Sequence, residues 1–516
     1  MGPDYRRPDA EVPAAFRATP HSAAAAWPSR EWWTTFNDPA LTALIDAARA
    51  HNFDIAAAAA RVRQADAATR IATAALFPAL TGGGSAQWQH TGVNTSSRTR
   101  TGGPGTGSVE TRSYGFGLDA AYVADFWGRN RATSAASQAE AVATRFDQQT
   151  IALAVVTTVA STWLTILALQ DRIAVAEANL AGFERTLAAI RGRFEAGTAS
   201  SLDLAQQETV VAVSRAVLPN FRNQLEQQIL GLGILLGRPP EAIPEVIAGA
   251  SPGTSPGTSP GTSPGTSPGT SPGTSLGTMN INPGSLTAVT LPPIAPGLPS
   301  ELLTRRPDVA AAEAALVAAN YDIKAARAAF FPTIQLTGSA GYQAGALNAI
   351  LLPGSALASL AAGLTAPLFD GGALRGRLEF ARARYEELEA QYRKAIVQAF
   401  TDVDSALTAL RLTSSQLTLQ IRAVAAARRS AAAARAQLQV GTVDITTVAQ
   451  IEAALFNTED TLTQVRLARA LALLNLYKAL GGGWSRPDGT IEQQFPGLAP
   501  TALEGGIALP VGDNRR

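Results

Sequence analysis

The chain has 516 residues, with 42 basic and 41 acidic side chains and no basic block, so a nucleic-acid partner has no electrostatic support. It contains no cysteine, which excludes disulfides, thiolate metal sites and thiol nucleophiles. Its three histidines, His21, His51 and His90, lie outside any metal-ligand spacing, so no metal or cofactor is expected.

No run approaches about 18 consecutive apolar residues, and on that count a transmembrane helix is excluded. Abundant alanine and few aromatics favour long, close-packed helices. The first predicted helix covers 38–50, where Asp38 caps, Pro39 takes the first turn and Leu41, Leu44 and Ile45 share a face. A second, over 54–76, must stop at Phe77-Pro78, because proline disfavours helix in the residue before it. A Gly/Ser/Thr-rich stretch follows. Within it Tyr114, Phe116, Leu118 and Ala120 recur at period two, predicting a strand over 114–122 paired with one over 80–90.

Next comes a proline-free helical stretch over 128–196, ended by Gly197, a residue suited to a left-handed C-cap. At about 1.5 Å per residue it spans on the order of 100 Å. A returning helix covers 201–236, and Pro219 is expected to kink or break it. Residues 238–299 then read as a linker, with a Ser-Pro-Gly-Thr run over 251–278 too rich in proline and glycine for helix or sheet. Its glycine period of four rules out collagen, which needs three. Because loop-closure cost changes slowly with length, deleting the repeats should leave assembly and function nearly intact. Thermal stability and activity of the shortened chain check this, and a large loss of either would count against it.

The chain then repeats itself. Residues 54–80 match 308–334 in register, each ending on Phe-Pro, and 194–208 echo 438–452. A period of about 245–255 residues indicates a duplicated, domain-sized module. The organisation read from this is a first module over 1–237, the linker, a second module over 300–484 and an irregular tail over 485–516. The second hairpin falls at 333–341 and 355–368, joined by a loop over 345–354. Its long helix covers 373–440, ends at Gly441 and returns over 445–480. Leu374, Leu378, Ala381, Tyr385, Leu388, Tyr392, Ile396, Ala399, Val403, Leu407 and Leu410 recur at steps of three and four, predicting a left-handed coiled coil. One hairpin per module gives four strands, too few to close a barrel, so oligomerisation is required.

Short motifs stand at fixed points along this plan: Gly2-Pro-Asp-Tyr-Arg-Arg-Pro8, Trp32-Trp33 with Phe36-Asn-Asp-Pro39, Leu303-Thr-Arg-Arg-Pro-Asp308, Pro367-Leu-Phe-Asp-Gly-Gly372 and Asn475-Leu-Tyr-Lys-Ala-Leu-Gly-Gly-Gly-Trp484. In this order the chain resembles the TolC-type outer-membrane efflux factors, in particular their OprM/NodT-like lipoprotein branch. The resemblance implies a mainly α protomer with a small β part. Three such protomers make a twelve-stranded outer-membrane β-barrel, and their long antiparallel coiled-coil helices form a periplasmic tunnel. It further implies a non-enzymatic exit duct with a periplasmic adaptor protein, an inner-membrane efflux transporter and outer-membrane lipid as partners. Branch members carry a leader and an acylated cysteine before the first motif. Here Met1 precedes Gly2, so lipid attachment is expected only of a full-length precursor. The exit duct of a protein secretion system is an alternative within the family, and a cytosolic coiled-coil scaffold is one outside it.

The resemblance also assigns roles. Gly197, Thr198, Gly441 and Thr442 become adaptor-contacting tips. Asp203 and Asp444 become a periplasmic gate, with Arg193 as a pairing candidate, against the plainer reading that both aspartates cap helices. Trp32-Trp33 reads as a packing anchor, Arg428-Arg429 as a solvated face, and Gly371-Gly372 and Gly481–Gly483 as turns, since they lack the lysine of a phosphate loop.

Overall fold

The computed structural model describes residues 5–9, 12–13, 15–17, 27–93, 107–239, 284–292, 294 and 299–486. The Ser-Pro-Gly-Thr run, most of the linker, all but two residues of the tail and His21 lie outside the described residues. The order is α1 (Pro39–His51), α2 (Phe53–Ala74), β1 (Ala79–Val93), β2 (Gly107–Ala124), α3 (Arg129–Glu195) and α4 (Ser201–Leu235). After the linker come α5 (Pro299–Leu302), α6 (Pro307–Ala328), β3 (Thr333–Ala344), β4 (Ala356–Thr365), α7 (Ala373–Gln439) and α8 (Ile445–Ala479). The two halves repeat in length as well as order: α2 and α6 have 22 residues each, α3 and α7 have 67, and α4 and α8 have 35.

Helix starts are fixed where capping chemistry predicts. Asp38 Oδ1 accepts from Ala40 and Leu41 N–H at 2.9 and 3.1 Å, while its Oδ2 accepts from Trp163 Nε1 at 2.7 Å. One carboxylate thus caps α1 and pins it to α3. Asn52 caps α2 through Oδ1 and donates from Nδ2 to the Leu235 carbonyl at 2.9 Å, tying in the end of α4. The largest core gathers Trp32, Trp33, Phe36, Leu41, Leu44 and Ile45 against mid-α3 and the last turns of α4 and α8. Trp32 stacks on Tyr477 at 4.8 Å, so the tryptophan pair packs as an anchor. A second core sets α6 and α8 against the α7 stripe of Tyr392, Ile396, Ala399, Val403 and Leu407.

Two expectations change. Helix α4 runs unbroken through Pro219. The lost N–H and ring clash are tolerated because Leu218 and Phe221 on either side are buried with Ala176 of α3. Helix α3 is also apolar and long enough to cross a membrane by composition, contrary to the exclusion above; serines and threonines interrupt its apolar run without making it polar. Yet 56% of that window is buried inside the protein, where Val155, Val159, Trp163, Leu164 and Leu167 face α1 and α8. It is a core helix.

The turns read from glycine hold. Gly371 and Gly372 have φ of 63° and 91°, and Gly481, Gly482 and Gly483 have 83°, 57° and 76°. At Gly481 a side chain would also strike the Arg305 carbonyl, which is how the Leu303–Asp308 and Asn475–Trp484 motifs meet.

Candidate functional site: an amphipathic sheet and a paired helical tip

The four strands form one antiparallel sheet in the order β1-β2-β3-β4. The register pairs Phe116 with Gly84 and Tyr342, Leu118 with Gly82 and Ala340, and Ala120 with Leu80 and Gly338. Leu336 pairs with Ala362 and Ile334 with Leu364. All of these share one face, with Tyr114, Tyr122 and Leu360, and that face is apolar. The opposite face carries Thr81, Ser85, Gln87, Thr111, Ser113, Gln335, Thr337, Ser339 and Ser359 in the same registers. Ser339 and Ser359 hydroxyls meet at 2.7 Å across it, and Gln343 donates to Ser113 at 2.9 Å.

The apolar face is exposed, and it has limits. At one end Trp88 gives way to His90, Glu110 and Arg112, which associate at 3.7 and 4.0 Å. At the other, Phe77, Phe126, Trp127 and Phe331 gather where strands become helices, with Trp127 stacked on Phe331 at 4.8 Å. Tyr114 to Ala124 spans about 34 Å along the strand at about 3.4 Å per residue; at the tilt of about 40° usual for membrane-barrel strands that length corresponds to a height of ~26 Å, close to that of a lipid-facing belt. Aromatics at both margins suit its two interfaces.

The far ends of the long helices carry the second feature. At Gly197 (φ 73°) Thr198 N–H reaches back to the Arg193 carbonyl at 2.8 Å; at Gly441 (φ 75°) Thr442 N–H reaches Gln437 at 3.0 Å. Both turns are Schellman caps, and a side chain at either glycine would meet open space. The fold brings them to one end. Ile190, Ala434, Ile445 and Val448 are buried together there, and Thr446 Oγ1 donates to Gln206 Oε1 at 2.8 Å. An ion pair is duplicated with the fold, Arg191–Glu208 at 3.0 Å and Arg435–Glu452 at 2.7 Å.

Arg193 does not pair with Asp203. Its guanidinium donates to the Leu438 and Gln439 carbonyls at 3.2 and 3.3 Å, because the last carbonyls of α7 lie outside the regular helical ladder and carry negative partial charge. Both aspartates cap, by different routes. Ser200 is the cap of α4, and Asp203 answers from the third position, accepting from Ser200 N–H at 2.9 Å. Asp444 is itself the cap of α8, accepting from Thr447 N–H at 2.7 Å and the Thr447 hydroxyl at 3.1 Å. The repeat therefore exchanges the two partners of a capping box. The Thr447 N–H and hydroxyl hold the Asp444 carboxyl below its ordinary 3.8. Since that pKa is depressed in the fold, the cap's contribution is present above about pH 4 and is lost as pH falls through the lower folded value. Far-UV circular dichroism should register less acid loosening of this helix in Asp444→Asn.

Similarity to known proteins agrees with this geometry. A family model described as outer membrane efflux protein matches residues 44–238 and 298–482. The chain belongs to the outer membrane efflux protein family. The pyoverdine export outer membrane protein OpmQ of Pseudomonas aeruginosa is 34% identical over 88% of both chains. The cation efflux system protein CusC of Escherichia coli is 29% identical over 94% of this chain and 96% of its own. The solved open-state outer membrane channel MtrE of Neisseria gonorrhoeae aligns with a TM-score of 0.76 at 26% identity, covering 95% of this chain and all of its own. The efflux protein is thus an outer-membrane channel component that extends into the periplasm, not an enzyme.

Sequence reasoning missed Glu313. It accepts from Arg7 Nε and Nη2 and from Arg486 Nη1, each at 2.7 Å. A lone acid in the alanine run of α6 was the available signal.

Proposed function

We propose that this protein is the outer-membrane exit duct of a tripartite efflux pump, in which three copies close a twelve-stranded barrel above a helical tunnel. The observation that carries this reading is what one chain leaves uncovered. Among the described residues, strands β1 and β4 are both open edges. Helix α6 is held between α3 and α7, whereas its counterpart α2 rests mainly on α3. Phe53 and Ile71 of α2, and Phe380, Val397 and Leu412 of α7, stand exposed. Repeating the α6 arrangement around a ring places the next copy's α7 over α2 and pairs the next copy's β4 with β1. Spanning strands need a closed sheet, and four strands from each of three copies supply twelve. Light scattering of detergent-solubilised protein should give three chains; a monodisperse, water-soluble monomer would refute it.

The duct conducts passively, and an inner-membrane transporter reached through a periplasmic adaptor supplies energy and selection. The adaptor meets the tips at Gly197-Thr198 and Gly441-Thr442, the exposed end about 100 Å from the strands. Gly441→Pro is incompatible with a positive φ and removes the N–H donated to Leu438, a local cost of ~3 kcal/mol. It should cut export while trimers and membrane insertion persist. Unchanged export with both tips altered would count against docking there.

At the same end Asp203 and Asp444 hold the coils closed by fixing the starts of the returning helices. Single-channel conductance of Asp203→Ala, Asp444→Ala and the double variant should rise. Unaltered conductance and selectivity would leave both residues as caps alone.

A further inference from the structure

The polar face of the sheet is nearly devoid of charge. Along it β1, β2, β3 and β4 contribute threonine, serine, glutamine, glycine and alanine, with Val123 and Leu357; among the described residues, Asp119 is its one ionisable group. The register sets Asp119 opposite Thr81 on β1 and Ser339 on β3. Its side chain is exposed, and its carboxylate has no hydrogen bond or ion pair among the described residues; the nearby Thr81 hydroxyl donates to the Asp119 backbone carbonyl instead, at 3.4 Å. The charged groups His90, Glu110 and Arg112 lie on the other face, beyond Trp88. Asp119 therefore stands at mid-height of the apolar band, five residues from the end of β2, with its charge uncompensated.

We propose that Asp119 sets the ion preference of the barrel. The inference rests on the trimeric-barrel reading, in which the apolar face meets lipid and the polar face lines the lumen. Three copies then place three carboxylates at one level of the bore. Twelve strands about 4.8 Å apart and tilted about 40° enclose a backbone radius of ~12 Å, which side chains narrow further. That is comparable with the Debye length of about 10 Å at 0.1 M salt and well above the ~3 Å at 1 M. Low-dielectric walls focus the field of like charges into an aqueous channel. Cations are therefore favoured in dilute salt, and the preference fades in concentrated salt.

Planar-bilayer reversal potentials under a salt gradient test this on the purified full chain. Asp119→Asn trimers should still conduct, with a several-fold loss of cation-over-anion permeability near 0.1 M and little change near 1 M; Asp119→Lys should shift it further toward anions. Conducting trimers with unchanged reversal potentials would overturn the inference while leaving the barrel intact. Wild-type protein that forms neither trimers nor pores would overturn the barrel reading, and the inference with it. The absence of native cysteine allows a second arm. A charged, membrane-impermeant thiosulfonate should reduce conductance through Asp119→Cys and leave Leu118→Cys unaffected. The reverse pattern would place Asp119 toward lipid and overturn the inference.

Discussion

Arginine in place of Leu360 is expected to strip assembled protein from the outer membrane, while arginine in place of its neighbour Ser359 leaves assembly standing. Leu360 is 88% exposed in the single chain and lies mid-strand, opposite Gly338 and in line with Ala120 at the centre of the apolar band. In the proposed barrel this position faces lipid at the bilayer midplane, where a cation costs about 2–4 kcal/mol, and the proposed three-fold symmetry repeats the cost in each copy. That sum is comparable with the whole stability of a typical domain, about 5–15 kcal/mol. Ser359 faces the other way, and its replacement forfeits one hydroxyl contact with Ser339, worth about 1 kcal/mol. In the proposed barrel the side chain it introduces stands in the aqueous lumen. Membrane fractionation and heat-resistant trimer bands should therefore separate the two variants, with Ser359→Arg altering conductance instead. Equal loss from both would mean that neither face is specified, and the reverse order would turn the polar face to the lipid.

Much of this was legible in the chain, because period-two alternation and capping residues are local signals. Tyr114, Phe116, Leu118 and Ala120 gave β2 its apolar face, and Asp38, Gly197 and Gly441 marked helix ends that the structure keeps. What was not legible depends on partners distant in sequence. Pro219 looks like a breaker until Leu218 and Phe221 are seen buried on α3. Arg193 looks like a mate for Asp203 until the α7 terminus arrives beside it with its last carbonyls turned outward as acceptors. The apolar centre of α3 was underestimated because serine and threonine break a strict count of apolar residues, although their hydroxyls can bond back to the helix, as Thr157 does to Leu153 at 2.7 Å. Asp203 and Asp444 look alike in composition but occupy different cap positions, a distinction of three residues in register.

Glu313→Ala should produce the largest loss of stability within one chain. The carboxylate is 6% exposed and binds Arg7 through both oxygens, while one oxygen also binds Arg486, itself 8% exposed. It thereby joins three distant segments: the chain before Pro8, α6, and the stretch after Trp484. Arg486 depends on it heavily, because its Nε and Nη2 are buried without partners among the described residues. Burial, reinforced by Glu313, raises the Tyr5 phenol well above its ordinary range, so that group stays neutral beside the pair. Removing the acid strands a buried guanidinium, and breaking a buried pair in this way costs about 3–5 kcal/mol. Arg7→Ala should cost much less, since Arg7 is about half exposed and Arg486 would keep its partner. Adding Arg486→Met to Glu313→Ala should recover much of the loss, because an apolar side chain no longer needs the carboxylate. Denaturant unfolding of the four proteins in detergent, followed by circular dichroism, checks the order. If Glu313→Ala were no worse than Arg7→Ala, the charge on Arg486 would have found water, and the junction would be held by packing of Trp484 on Phe146 instead.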